Sequence, residues 1–491
     1  IFPGTLVGNG NTISGITSDH AIFASVGSVS DLTIDESCTF AATKAGFLAA
    51  LAAESTGTFT NVVNKANVSV VIAGAGDATV AVGGLVAVGE SKMDGCKNYG
   101  NVTYTAGASY GALVGGLAGY NDGAMNKCEN HGKVTMSVES LSAYGVVKSI
   151  DNLPIHIGGL AAQLGANAPV TEAINKGTVD YDITKVENLA VSCETNRPRM
   201  GGIVGLTQSS ITSSVNEGIV DVNVVTSDSS IFSGKNYPIN VGGISGGAPV
   251  DASGASGADI TSCTNSGAIT CVTYCKGTIP TCGGIVAHPG YEDATQTNTI
   301  TRCENTGLIT ATTFTIARVG GISGGSGSVT YCKNTGTIDG HLSIEDGNIG
   351  GIIGWLDKGH KFEYNESYCT LSNTRAPGTS GTSEVGGLIG QHGNYDSCPG
   401  EGRGCKVKCD ISYDYGNEKW YGMLLGYFWS TSHTVVLGTE DEPIIVLGGS
   451  MTYSGGTTQV TAENYQEYTN HSSAGGKSGS KPFTVHVKFG E

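Results

Sequence analysis

The chain has 491 residues, 76 of them glycine, with only 14% charged and 7% aromatic side chains. Each interior glycine costs a helix roughly 1 kcal/mol relative to alanine, which excludes a fold built on long helices, and glycine does not recur at every third position as in collagen. The 43 acidic against 26 basic side chains give a net charge of -17 that repels phosphate backbones and argues against a nucleic-acid role, and no apolar run approaches the roughly 20 residues of a membrane-spanning helix.

The N-terminus, IFPGTLVGNG, has neither an initiator methionine nor a signal peptide, and reads as a processed or truncated chain whose export or lipid-anchor signal is out of view. Two strings then alternate. The first is VGGLV at 82, VGGLA at 114, IGGLA at 157, MGGIV at 200, VGGIS at 241, CGGIV at 282, VGGIS at 319, IGGII at 349 and VGGLI at 385, at spacings of 30 to 43 residues. The second is CKNYGNV at 96, CENHGKV at 128, AINKGTV at 173, SVNEGIV at 214, CTNSGAI at 263, CENTGLI at 303 and CKNTGTI at 332, with VVNKANV at 62 as a degenerate first copy. A fixed alternation with variable loops is the signature of a repeat architecture.

The second string reads small-x-Asn-x-Gly-x-Val/Ile. Alternate residues of a strand face one side, so Cys128, Asn130 and Val134 point inward together. Asn130 and Gly132 are types that tolerate a left-handed backbone, which predicts a corner there. Each unit therefore reads as strand, corner, strand, loop and a third strand at V-G-G-I/L. Repeated about ten times, this is an all-β, right-handed parallel β-helix, or β-solenoid, in which equivalent residues stack roughly 4.8 Å apart. Asn98, Asn130, Asn175, Asn216, Asn265, Asn305 and Asn334 then form a corner ladder that satisfies backbone groups, and Cys96, Cys128, Cys263, Cys303 and Cys332 form a ladder of small interior residues.

The strings GLAG at 116, GIVG at 202, GIIG at 351 and GLIG at 387 resemble the GLUG repeat found in tandem in bacterial surface proteins, many from Bacteroidota. The resemblance covers roughly residues 40 to 400 and loosens at GISG (243 and 321), GLVA (84) and GLAA (159). TLVGNGNTISGIT, residues 5–17, is similar to the opening coils of such proteins. The resemblance implies an extracellular, outer-membrane-anchored solenoid and no particular reaction. The organisation expected is N-terminal opening coils over 1–40, GLUG-like coils over 41–400 and a C-terminal capping β-domain over 401–491. YGMLLGYFW at 421 reads as a last, altered GG strand, followed by strands TVVLG, PIIVLG and FTVHVKFG that cover the open sheet edge.

Several constellations bear on chemistry. Cysteines at one repeat position, with Cys282 replacing the valine of VGGI, read as reduced packing residues. Cys271, Cys275 and Cys282, and Cys398, Cys405 and Cys409, are looser clusters that leave open a metal or a local disulfide such as Cys398 to Cys405. A polysaccharide lyase or glycoside hydrolase on a β-helix needs carboxylates paired across adjacent coils. The candidates are Asp339 with His341, Asp180 with Asp182, and Arg197 and Arg199, and solvated flank residues explain them equally. All three tryptophans, Trp355, Trp420 and Trp429, lie in the last third among many tyrosines. Aromatic faces flanked by polar groups stack on sugar rings, while the competing reading is bulky cover for the solenoid end. YDYGNEKWYG, residues 413–422, is the best binding segment, with Trp420, Tyr415, Tyr421, Asp414 and Glu418 joined by Trp355 as ligand-binding candidates and a Ca2+ site conceivable.

The function expected is a non-catalytic surface lipoprotein or adhesin that presents a rigid face to a glycan or host ligand, without cofactor. The alternative is an accessory lipoprotein of a TonB-dependent outer-membrane uptake complex, with transporter and lipoprotein partners packed against inserts at residues 140–154 and 184–200.

Overall fold

The computed structural model describes residues 1–75, 80–108, 111–140, 155–183, 198–224, 237–248, 258–273, 278–288, 299–313, 317–342, 347–374, 383–393, 395–414, 420–428, 433–453, 455–469 and 483–490. Among them the regular structure is β-strand, with one short 3-10 turn at Tyr465–Tyr468 and no helix long and apolar enough to cross a membrane. The chain packs as two units, Ile1–Pro249 with Val272–Gly277, and Val250–Cys271 with Thr278–Glu491.

In the first unit one coil runs through Ala112–Gly115, Ala118–Asn121, Met125–Asn126, Glu129–Asn130 and Val134–Ser140. Each strand pairs in parallel with its counterparts one coil away: Val114 with Val82 and Ile157, Asn130 with Asn98 and Asn175, Val134 with Val102 and Val179. The second unit repeats the pattern, with Asn305 opposite Asn334, Ile309 opposite Ile338 and Ile349 opposite Val385. This is the parallel β-solenoid expected from the repeat, though each coil is broken into five short strands rather than three.

The asparagine ladder is built as the spacing predicts. In the first unit Asn64, Asn98, Asn130 and Asn175 each donate from Nδ2 to the Oδ1 of the next coil's asparagine, ending on Asn216, at 2.8–2.9 Å. The second Nδ2 hydrogen goes to the carbonyl two residues on, as from Asn130 to Gly132 (2.9 Å). In the second unit Asn265 donates to Asn305 and Asn305 to Asn334, but Asn334 turns to the Gly351 carbonyl (2.8 Å) because Ser367 occupies the next rung. All these side chains are 0% exposed, so each amide must be satisfied from within the protein.

The chain bends at Gly132 between two short strands as expected, but the left-handed corner lies elsewhere. The left-handed residue is the one just before the cysteine position: Asn61, Gly95, Lys127, Glu172 and Ser213 in the first unit, and Ser262, Arg302, Tyr331, Tyr364 and Gly404 in the second, all with φ between 50° and 63°. Non-glycine residues pay roughly 1–2 kcal/mol for this conformation. Their N–H groups bond to the adjacent coil, Lys127 to the Thr171 carbonyl (2.9 Å) and Glu172 to that of Thr212 (3.1 Å). Gly132 serves another purpose: a Cβ there would lie 1.9 Å from the Gly100 carbonyl oxygen, so glycine is required by close stacking of coils.

The cysteine rungs are buried, and none of the twelve described cysteines is in a disulfide, Cys398 and Cys405 included; Cys398 is half-buried and the rest are buried. Cys193 and Cys275 lie outside the described residues. The rung does more than fill space. Cys263 N donates to Cys303 Sγ (3.4 Å), Cys303 N to Cys332 Sγ (3.4 Å), Cys332 N to Asn365 Oδ1 (3.0 Å) and Asn365 N to Cys405 Sγ (3.3 Å), so the position calls for a small acceptor. Ser214 serves similarly for Ala173 (3.2 Å).

At the C-terminal end, Tyr421–Gly422 pairs in parallel with Val385 and Gly386, as the altered GG strand expected there. Lys406–Asp414 pairs with Ile444–Tyr453, which is met by the antiparallel Gly456–Gln459 and by Val487–Phe489. The antiparallel hairpin interrupts the run of parallel pairings and covers the last coil.

Two outcomes are expected. Asn130→Ala removes a two-donor rung and leaves Asn98 without its acceptor; the loss is about 3 kcal/mol of stability at about 1 kcal/mol per net hydrogen bond plus an orphaned group, read as a lowered urea midpoint. Iodoacetamide at neutral pH leaves Cys128 and Cys405 unmodified in the native protein and labels both after denaturation, as mass spectrometry will report. Burial pushes the Cys405 thiol up to about 12, and the hydrogen bond with Cys96, then burial, holds Cys128 well above its ordinary value, so the reactive thiolate stays scarce.

Candidate functional site

The residue just before the V-G-G valine points away from the interior that the valine fills, and in successive coils it forms a row. In the second unit the row runs Thr281, Arg318, Asn348, Glu384 in register. Val385 N donates to the Trp420 carbonyl (2.9 Å), which makes Trp420 the next member. A second row comes from the strand after the GG turn, with Trp355 opposite Gln391 and Gln391 opposite Tyr427. The rows touch at both ends. The Arg318 guanidinium lies over the Trp355 ring at 4.2 Å, and Trp420 stacks on Tyr427 with centroids 4.8 Å apart.

Between these ends lie Asn348, Glu384 and Gln391, all buried, whereas Arg318, Trp355, Trp420 and Tyr427 are half-buried. Neither Asn348 Nδ2 nor Oδ1 has a hydrogen-bond partner, nor does Gln391 Oε1 or Trp355 Nε1. Leaving a buried polar group unmatched costs about 1–3 kcal/mol, so several along one strip mark a place where a polar occupant would stabilise the protein. The arrangement sets half-buried rings at each end, one beneath the Arg318 guanidinium and one stacked on Tyr427, around unmatched hydrogen-bonding groups in the middle.

The same position in the first unit begins apolar, where Ala81 and Leu113 pack with Ala49, Ala87 and Ala162 against Val88 and Tyr120. It then turns polar at His156, Arg199 and Asn240, which are opposite one another in register.

Of the sequence-derived ligand candidates, Trp355 and Trp420 come together in the second-unit strip. Tyr421 is turned inward and 5% exposed, packed against Tyr413 (5.3 Å) and Tyr453 (5.6 Å), while Tyr413 donates to the Ser383 carbonyl (2.9 Å); it is solenoid filling. Asp414 is exposed at the end of its strand, opposite Thr374. Tyr415 and Glu418 lie outside the described residues, as do Trp429, Arg197 and most of the two long inserts.

The acidic candidates are engaged with neighbours. Asp339 accepts from Ser372 (2.6 Å) and lies 3.4 Å from His341 Nε2, and His341 Nδ1 meets Thr374 Oγ1 (2.5 Å). Asp180 pairs with Lys133 (2.7 Å), and opposite it Asp221 titrates above the usual carboxylate range because of burial and then the Asp180 charge. Among the described residues no group of three His, Cys, Asp or Glu side chains is arranged to hold a metal ion.

Sequence reasoning missed an aromatic feature on the flank. At the left-handed corners Tyr331, 52% exposed, stacks on Tyr364 at 4.8 Å, with Arg302 over the outer face of one ring (5.5 Å) and Arg403 over that of the other (5.4 Å). Tyr364 donates to Glu442 (2.6 Å) and Arg403 to Glu363 (2.7 Å), which makes the stack a clamp on the C-terminal segment. Reading the residue before each cysteine down the repeats would have found it.

No protein-family model matches the chain, and neither a curated protein nor a solved structure matches it.

The first-unit polar row carries a pH signature. Burial, then the Arg199 charge, holds His156 well below the ordinary histidine range. Below pH about 6.5 the unfolded state takes up a proton that the native state refuses, so stability falls as pH falls. In His156→Gln the drop in melting temperature between neutral pH and about pH 5 is expected to be smaller than in the unmodified protein, as calorimetry would show.

Proposed function

We propose that the chain is a non-catalytic, surface-displayed binding protein of the GLUG-repeat type, exported and lipid-anchored, whose solenoid presents the Trp355–Trp420 strip to a glycan. One observation carries the reading: buried hydrogen-bonding atoms of Asn348 and Gln391 stand unmatched between two aromatic ends. Sugars present hydroxyls around apolar ring faces, and such a strip is complementary to both. The backbone under it is held by parallel strand pairing in each coil, so little ordering is required on binding.

The test is a neutral-glycan array followed by titration calorimetry on the best hit. Trp420→Ala and Asn348→Ala are each expected to weaken binding about 30-fold, the ~2 kcal/mol of an anchoring residue, with Asn348→Ala folding normally. Absence of any neutral-glycan hit, or Asn348→Ala binding like the unmodified protein, would overturn the proposal. Unfolding of Trp420→Ala would place that indole in the structural cover instead.

A further inference from the structure

We propose that Cys369 and Cys409 are a covalent modification site, forming a disulfide between adjacent coils that takes the place of the amide rung where the asparagine ladder stops. The two residues are opposite each other in register, between the pairs Ser367–Val407 and Thr370–Asp410, and their sulfurs lie 3.5 Å apart. Neighbouring parallel strands hold such partners roughly 4.8 Å apart, inside the roughly 4.4–6.8 Å between Cα atoms that a disulfide spans.

The repeat itself marks the position. Asn334 is opposite Ser367 and Ile338 opposite Leu371, which sets Gly336, the glycine of the N-x-G string, opposite Cys369. A Cβ on Gly177 would lie 2.7 Å from Asn130 Nδ2, and one on Gly336 2.8 Å from Asn305 Nδ2, so a ladder amide and a side chain at this position exclude each other. The chain changes both together. Ser367 and Val407 stand in the asparagine row, and two buried thiols stand in the glycine row. Val407 has no hydrogen-bonding side chain, so no amide bond joins these two coils. One coil further on, Gly449 restores glycine opposite Cys409.

This pair differs from the cysteine rungs. Cys303 and Cys332 direct Sγ to the Ile260 and Ile300 carbonyls (3.5 and 3.4 Å), whereas Cys369 and Cys409 meet beside Ser367 Oγ, which lies 3.2 Å from one sulfur and 3.3 Å from the other. The oxidant is a small-molecule disulfide such as glutathione disulfide. As the chain folds, the Cys369 thiolate displaces one glutathione thiolate to give a mixed disulfide. Once the coils stack, the Cys409 thiolate attacks Cys369 Sγ and displaces the second. The two cysteine sulfurs lose two electrons, and their two protons end on the two glutathione thiols. The Ser367 hydroxyl is placed to hydrogen-bond the attacking thiolate. The new bond joins residues 40 apart in sequence, which restricts the unfolded chain. The linked strands lead into Ser383–Gly386 and Tyr421–Gly422, so it ties the coil of Glu384 to the coil of Trp420; the inference does not depend on what that strip binds.

The experiment refolds the full chain with glutathione disulfide and glutathione, and in parallel with reductant. Both samples are alkylated in denaturant and mapped by mass spectrometry without reduction. The oxidised sample is expected to yield a Cys369–Cys409 linked peptide and to melt several degrees above the reduced one. In Cys369→Ala and Cys409→Ala that difference in melting temperature is expected to disappear. If either variant fails to fold, the peptide map of the unmodified chain carries the test. The proposal is overturned if Cys369 and Cys409 are both alkylated after oxidative refolding, if they are found joined to other cysteines instead, or if both variants keep the full difference in melting temperature.

Discussion

A single buried amide per coil is the contact on which the rest of the architecture depends. Asn130 spends both Nδ2 hydrogens, one on its own turn and one on the next coil, and it does so at zero exposure where water cannot substitute. The same amide presses on the GG turn: a Cβ at Gly116 would lie 2.5 Å from Asn130 Cγ. The two strings that recur along the chain are therefore the two sides of one contact. A side chain on the glycine would push the amide out of line, and a longer residue at the asparagine would strike the turn.

That coupling explains why the solenoid was legible in the residues while its details were not. Asn98, Asn130 and Asn175 recur because one geometry must be met identically in each coil, and identity is visible in a sequence. The left-handed corner was misplaced onto Asn130 and Gly132 because residue type there suggests it. The actual position is filled by Lys127, Glu172, Arg302 and Tyr331, types that carry no such signal, since neighbouring-coil hydrogen bonds hold the backbone in place of intrinsic preference. Gly132, in turn, was assigned a conformational reason when its reason is the carbonyl packed against it.

The candidate site divides along the same line. Trp355 and Trp420 stood out as rare residues, and the structure joins them; Tyr421, equally aromatic, alternates to the inside. Arg318, Asn348 and Glu384 were invisible because their column accepts Ala81, Leu113 and Thr281 as readily, so no composition marks it. Their juxtaposition comes from register, which the ladder sets and the column itself does not influence. A solenoid thus separates the residues that specify its shape from those free to vary on it, and variation in that column changes what the strip can meet without touching the scaffold.

The ladder also has a sense of direction. In the first unit each rung donates toward its C-terminal neighbour, from Asn64 to Asn98 and onward to Asn216, so the amide dipoles align head to tail along the stack. Polarity of this kind makes the two faces of a coil chemically unlike: one offers an amide hydrogen, the other an oxygen. Two copies meeting by like faces would set hydrogen against hydrogen or oxygen against oxygen, so this row accepts another coil only in the orientation in which the chain already winds.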